Sequence, residues 1–379
     1  MATILYLVPQ PISPARSGAR LRFAQIAETL SGLGHHVLVV DKDLIAQHVR
    51  PFRVSRIQRP VRLCTQSDLG AIVHLVDESA ASLVLAAHPA FTDVVTLRRR
   101  LGVPVVIDTQ NFEGGLEMMR AQARPMLQQA LLTASEFLYL RKADGVWAIC
   151  ERDRAAYAKR LRSDRVVTVP ASIKVGAHFS HPRDPATLLM VGNFAYGPNL
   201  EAARYLLDQI VPRIRRARPE IVVTLVGRAM PDSLAPARAD GVCLPGEVDD
   251  LAEWYARASI AVVPILSGGG VKFKVLEAMA HGCCVVASPQ AVAGLAVATG
   301  SQCVVADGPQ SFSAAILNLL DDVNSRDRIG AAARDFVRQF HSPSLMRSTI
   351  DREMRRVLSP LHGQLRHSAR GPSRGGYSD

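Results

Sequence analysis

The sequence predicts an α/β protein made of two doubly wound domains facing each other across a cleft. Three observations carry this. Apolar, β-branched runs alternate with segments of helical period from residue 4 to residue 340, the pattern of a mainly parallel sheet. A chain of 379 residues exceeds one ordinary core. The stretch 170–185 has no clear period, contains Pro170, Gly176, Pro182 and Pro185, and splits the alternation in two.

Taken in order, residues 4–8 read as a buried strand and 9–17 as a loop. Gly18-Ala19-Arg20-Leu21-Arg22 opens a helix to about Leu33, Gly34 caps it, and 37–40 is the second strand. Strands follow at 83–87, 103–108, 145–149 and 166–169, separated by helical stretches at 71–78, 91–101, 126–142 and 152–161. Beyond the linker come a strand at 187–191, a helix over 198–217 with Pro198 near its first position, strands at 221–226 and 242–244, and a helix at 250–258. Residues 260–265 form a buried strand, 271–281 a helix ended by Gly282, and 283–287 another strand, giving a βαβ unit. A last strand at 302–306 and helices at 311–321 and 326–340 complete the domain. The charged face of the final helix, 344–358, suits packing outside its own domain. The expected division is therefore a domain at 1–170, a linker at 171–185, a domain at 186–340, a helix at 341–358 packing on the N-terminal domain, and a disordered basic tail at 359–379 carrying Arg366, Arg370 and Arg374.

Composition narrows the function classes. An apolar fraction of 48% and a charged fraction of 21% are ordinary for a globular protein. Residues 1–8 lack a basic region and soon meet Pro9, Pro11 and Pro14, so they read as a strand and not a secretory signal. No apolar run approaches the roughly 20 residues that cross a bilayer. The six cysteines, Cys64, Cys150, Cys243, Cys283, Cys284 and Cys303, have no metal-ligand spacing and read as reduced thiols of a cytoplasmic protein, most of them buried. The net charge of +11 is scattered, and an aromatic fraction of 5% with no nucleic-acid module argues against a nucleic-acid partner. The charge fits an anionic substrate or peripheral contact with the anionic inner face of a membrane.

The chemistry centres on residues 260–288. The turn Ser267-Gly268-Gly269-Gly270 joins a buried strand to a helix, where α/β folds bind ligands. Successive glycines let backbone N–H groups approach an anion, and the helix N-terminus favours negative charge. Lys272 and Lys274 place cations at that end, against the usual preference for acids, which implies an anion from outside the chain. A nucleotide diphosphate is the natural candidate. No Gly-Lys-Ser/Thr follows, so this is not a Walker A loop, and the absence of GxGxxG disfavours nicotinamide chemistry. Glu277 lies in the apolar stretch VLEAMA and needs a partner there: a lysine, a backbone N–H, or a pair of ribose hydroxyls.

GGGVKFKVLEAMAHG resembles the GGG-x-[RK]-x-K-[IV]-LEA version of the E-x7-E region in retaining GT-B glycosyltransferases, broadly glycosyltransferase family 4. Within that family it looks like a subgroup frequent in polysaccharide, exosortase-associated or secondary-metabolite pathways. VGNFAYGPNLEAARYL, DDLAEWYARASIAVVP, SGARLRFAQIAETLSGLGHHVLVV and DTQNFE resemble further segments of the family in the same order, so the likeness spans the chain except the tail. The resemblance implies a hexosyltransferase-like, metal-independent enzyme of the GT-B fold that moves a sugar from a nucleotide-diphosphate-sugar to a hydroxyl acceptor, whether glycan, lipid-linked or small-molecule. The nucleotide sugar is then a substrate, and no cofactor or metal is expected. Glu277 would hold the ribose, and Lys272 with the Gly268, Gly269 and Gly270 amides the diphosphate. Lys274 is a secondary contact, and Asn193 with the segment 194–199 lines the donor side. Lys272 and Glu277 are the residues expected to carry catalysis. Gly18, Arg20, Asp108, Asn111 and Glu113 are the acceptor-side candidates.

Three departures stand out. Gly269 occupies the place of the first, sugar-contacting glutamate. An Arg/Lys pair common after the first strand of the donor domain is absent from VGNFAYGPN, and Gln110 stands where the subgroup usually has His. Alternative functions on the same fold are a nucleotide-sugar epimerase and a non-catalytic nucleotide-sugar-binding subunit. Asp41-Lys42-Asp43 formally matches a DxD metal motif, but oxygen ligands alone define no site and the remaining chain does not suit the fold that uses it.

Overall fold

The computed structural model describes residues 1–13, 17–41, 66–88, 91–112, 126–176, 183–238 and 241–359. Glu113, Lys42 with Asp43 of the DxD match, Cys64 and residues 360–379 of the basic tail lie outside them. The chain divides into two units, Met1–Val169 with Met346–Asp379, and Pro170–Leu345. The stretch read as a linker thus falls within the second unit.

The first unit is built on six parallel strands: β1 (Thr3–Val8), β2 (His36–Asp41), β3 (Leu83–Ala87), β4 (Val105–Asp108), β5 (Gly145–Ala148) and β6 (Val166–Thr168), in the order β2-β1-β3-β4-β5-β6. Helices cover both faces, which is why the central strands read as unbroken apolar runs. Leu5 and Leu7 pack with Ile72 and Val76 of the helix Gln66–Glu78 and with Leu140 of the helix Met126–Leu140. Ile4, Tyr6 and Val8 point the other way, onto Phe23, Ile26 and Leu30 of the helix Gly18–Gly32. The final helix, Pro343–Leu358, lays Met346, Ile350, Met354 and Val357 on that same face. This spacing forms one apolar stripe. Arg347 Nη2 donates to Gly32 O at 2.8 Å, and Arg356 donates to Asp144 O at 3.3 Å while pairing with the buried Glu353.

The second unit repeats the plan with β7 (Thr187–Val191), β8 (Val222–Val226), β9 (Val242–Gly246), β10 (Ile260–Val263), β11 (Cys284–Ala287) and β12 (Val304–Val305), all parallel, in the order β12-β11-β10-β7-β8-β9. The order reverses between β7 and β10, so the loops leaving their C-terminal ends diverge to opposite sides. That is where an open parallel sheet has its ligand crevice.

Two helices differ from expectation. The segment expected as one helix over 198–217 is helical at Gly197–Tyr205 and Val211–Arg215, with a π-helical turn at Leu206–Ile210 between them. Pro212 lacks an N–H, and its ring crowds the preceding turn, which widens there. At 91–101 the chain makes a 3-10 turn, Thr92–Leu97, before a short α-helix, Arg98–Leu101. The β-branched Val94-Val95-Thr96 run disfavours a regular α-helix. Among the described cysteines, Cys150, Cys283, Cys284 and Cys303 are buried free thiols and Cys243 is exposed.

Candidate functional site

The site is assembled where β7 and β10 lie side by side. β10 delivers the turn Ser267–Gly270 and then the helix Phe273–Ala280, while β7 delivers Gly192–Pro198 and the helix Gly197–Tyr205. The two loops touch. Gly268 has φ +94°, and a Cβ there would stand 3.0 Å from the Tyr196 hydroxyl and 3.6 Å from Pro198 Cγ. Behind them the backbones of β7 and β8 converge so closely that a Cβ on Gly227 (φ +146°) would lie 1.7 Å from Gly192 O. Only glycine fits at 227.

Lys272, expected to reach for a phosphate, closes its own turn. Its Nζ donates to Gly268 O at 3.0 Å, Gly269 O at 2.5 Å and Gly270 O at 3.1 Å. Gln290 Nε2 also donates to Gly268 O. Because the C=O and the following N–H of a planar peptide point in opposite directions, drawing these carbonyls to the ammonium turns the amides of Gly269, Gly270 and Val271 away from it. Lys272 is thus the pin of the turn as well as its charge. Its backbone sits at the N-cap of the helix, in an extended conformation.

Lys274 points inward. Its Nζ donates to Asn199 Oδ1 at 2.7 Å and lies beneath Gly192, whose missing side chain leaves the space. Asn199 Nδ2 in turn donates to Asn193 O at 2.8 Å. Burial lowers the Lys274 pKa to about 8; Glu277 acts against that shift and Lys272 adds to it. Burial raises the Glu277 carboxyl above its ordinary value, opposed by Lys274 and by a hydrogen bond from the Tyr255 hydroxyl. Tyr255 is buried, and its ring stacks on His281 with centroids 5.5 Å apart and planes 11° apart. Lys274 and Tyr255, whose hydroxyl also donates to Lys274 O at 3.4 Å, thus offset the cost of burying Glu277 in its apolar helix. Asn193 spends its side chain locally, Oδ1 accepting from Ala195 N at 3.2 Å.

The acceptor-side candidates belong to the first unit, and four of them, Gly18, Arg20, Asp108 and Asn111, are among the described residues. Gly18 begins its helix, where the Ser17 hydroxyl caps Arg20 N at 3.3 Å, and Arg20 is half-buried. Asn111 is half-buried, its carbonyl accepting from the Tyr157 hydroxyl at 2.9 Å. Asp108 has no exposed surface. It accepts from Arg22 Nη2 at 2.6 Å, Arg22 Nε at 3.1 Å and Gln110 Nε2 at 2.8 Å, and Arg22 Nη1 donates to Val169 O at 2.8 Å. Desolvation raises the Asp108 pKa against the pull of Arg22. Asp108 thus ties β4 to the helix Gly18–Gly32 through Arg22, and Gln110 donates to the same carboxylate.

Sequence reasoning passed over Arg22, Tyr255, Gln290 and Arg183. Arg183 Nη1 donates to the carbonyls of Tyr255 at 2.7 Å and Ala258 at 2.9 Å, and its Nη2 to Gly282 O at 2.7 Å. It thus caps the C-terminal ends of the helices Ala252–Arg257 and Phe273–Ala280. Its signal was hidden in a stretch without period. That of Arg22 was visible: an arginine beside Phe23 on an apolar helix face requires a buried acid. Among the described residues no group of His, Cys, Asp and Glu is arranged to hold a metal ion.

Residues 185–322, which contain every element of the second-unit site, match the family described as Glycosyl transferases group 1. An uncharacterised 44.6 kDa protein in the cps region of Klebsiella pneumoniae is 24% identical over 204 residues, 51% of this chain and 53% of that protein. The phosphatidyl-myo-inositol mannosyltransferase of Mycolicibacterium smegmatis is 26% identical over 238 residues, 59% of each chain. The matches therefore span little more than half the length of these curated relatives. Among solved structures, sucrose-phosphate synthase from Thermosynechococcus elongatus superposes with a TM-score of 0.71 at 17% identity, covering 95% of this chain and 100% of that one. HepE of Anabaena, solved in complex with UDP, gives 0.68 at 13% identity over 93% and 99%. The fold is GT-B.

Proposed function

We propose that the protein is a retaining, metal-independent glycosyltransferase that takes its sugar from a nucleotide diphosphate held on the second unit. One observation carries the reading: a lysine-pinned glycine turn at the switch point between β7 and β10, followed by the half-buried Glu277, lies inside the stretch that matches the glycosyltransferase family. The outward amides of the turn receive the diphosphate, the charges of Lys272 and Lys274 stand behind them, and Glu277 receives the ribose hydroxyls. As the bond to the anomeric carbon breaks, negative charge gathers on the departing diphosphate, and these preorganised groups stabilise that state more than the ground state. The acceptor hydroxyl, on a glycan, a lipid-linked glycan or a small molecule, attacks from the face the diphosphate leaves, and its proton passes to the leaving phosphate oxygen. No protein nucleophile is required.

A panel of UDP-, GDP-, ADP- and dTDP-sugars tests this by thermal shift, because a ligand that binds only the native state raises Tm. At least one nucleotide sugar should stabilise the native chain and leave Glu277→Ala unmoved. Stabilisation by none of them would overturn the reading. EDTA should leave turnover unchanged.

A further inference from the structure

We propose that Glu201 is the carboxylate that reads the transferred sugar, and so sets donor specificity; this rests on the donor-site reading above. The segment from Pro264 to Leu276 carries no acid of its own. A hexose presents several neighbouring hydroxyls, and a carboxylate, with two acceptor oxygens, is suited to taking them together. The fold brings one from the adjacent element: Glu201 Oε2 accepts from Ser267 Oγ at 2.8 Å.

Its placement follows from the architecture. The sheet order sets β7 beside β10. Gly268, with no side chain, lets Tyr196 and Pro198 seat the start of the helix Gly197–Tyr205 on the turn. Glu201 is three residues past Pro198 and so shares its side of the helix. Asn199, two residues earlier and roughly 200° around, faces inward to Lys274. Glu201 and Ser267 are both exposed, whereas Glu277 is half-buried beside Tyr255 and Lys274.

The turn therefore has two carboxylates about it: Glu277, recessed in the helix that the turn opens, and Glu201, facing solvent on the adjacent helix. A nucleotide sugar bound through its diphosphate carries ribose at one end of that group and the transferred sugar at the other. Glu277 takes the first and Glu201 the second. Ser267 holds one oxygen of Glu201 and fixes its rotamer, leaving Oε1 for the sugar.

Calorimetric titration of UDP-glucose, GDP-mannose, ADP-glucose and dTDP-glucose, each beside its free nucleoside diphosphate, tests this on the native chain, Glu201→Gln and Ser267→Ala. For the pair that the native chain binds, Glu201→Gln should weaken the sugar nucleotide by about tenfold or more. The free diphosphate should stay within roughly twofold, and Ser267→Ala should lose less than Glu201→Gln. Equal weakening of both ligands would make Glu201 a mere prop of the turn and overturn the proposal, as would no change in either. A native chain that binds no member of the panel overturns the donor-site reading itself, a failure recognisable because it precedes any substitution.

Discussion

Replacing Lys274 by methionine should remove a pH dependence from the stability of the second unit. The Lys274 ammonium is buried against Asn199 Oδ1, and its pKa falls from 10.5 to about 8. A shift of that size corresponds to about 3 kcal/mol between the two protonation states. The unfolded chain keeps this proton up to its ordinary pKa and the folded chain releases it near pH 8, so between those values the unfolded state binds more protons and stability rises with pH. Below the folded pKa the full cost of holding the cation remains. From pH 7 to pH 9 the native protein should recover about 1 kcal/mol through this group, and Lys274→Met none. The variant loses the bond to Asn199 and the attraction to Glu277, which set its offset from the native protein, while the pH trend of the difference belongs to Lys274. Taking the difference also cancels the cysteines. Burial pushes Cys150 and Cys303 up to about 11 and Cys284 to about 12, so their contribution falls as pH rises past their ordinary value. Urea denaturation of both proteins across pH 7 to 9 gives the number directly. A difference independent of pH would refute the assignment. If the cation is kept there for a diphosphate, the same variant should bind the nucleotide more weakly.

Three further outcomes follow from the geometry. Asp108→Asn leaves the Arg22 guanidinium buried and without its counter-charge, and urea denaturation should show a loss of about 3–5 kcal/mol in the first unit. Gly227→Ala forces a Cβ into Gly192 O, so it should destabilise the second unit by more than about 2 kcal/mol and depress nucleotide binding with it. Lys272→Ala frees three turn carbonyls and removes a charge, and steady-state kinetics should show kcat/KM lowered by roughly 100-fold.

The strands were legible because both sheets are buried on both faces, which writes each strand as a continuous apolar run. Their neighbours were not. Period locates a strand without saying which strand lies beside it, and the contacts of Lys274 with Asn199 and of Ser267 with Glu201 exist only because β7 adjoins β10. The glycine turn was legible as the link between a strand and a helix, yet the ammonium of Lys272 was expected to reach for a phosphate. A glycine turn leaves carbonyls without partners, and the nearest donor takes them. The break at Leu206–Ile210 had its cause in plain view at Pro212, whereas the burial of Asp108 depended on Arg22, 86 residues earlier in the chain.

The fate of the donor sugar tests the central claim most directly. The native chain, supplied with a nucleotide sugar and a pool of hydroxyl acceptors, should release one nucleoside diphosphate for each new glycosidic bond. That bond should keep the donor's anomeric configuration, and Glu277→Ala should abolish both products. Inverted configuration would contradict the retaining mechanism. Epimerised donor without diphosphate release, or binding without turnover in any acceptor pool, would contradict the transferase.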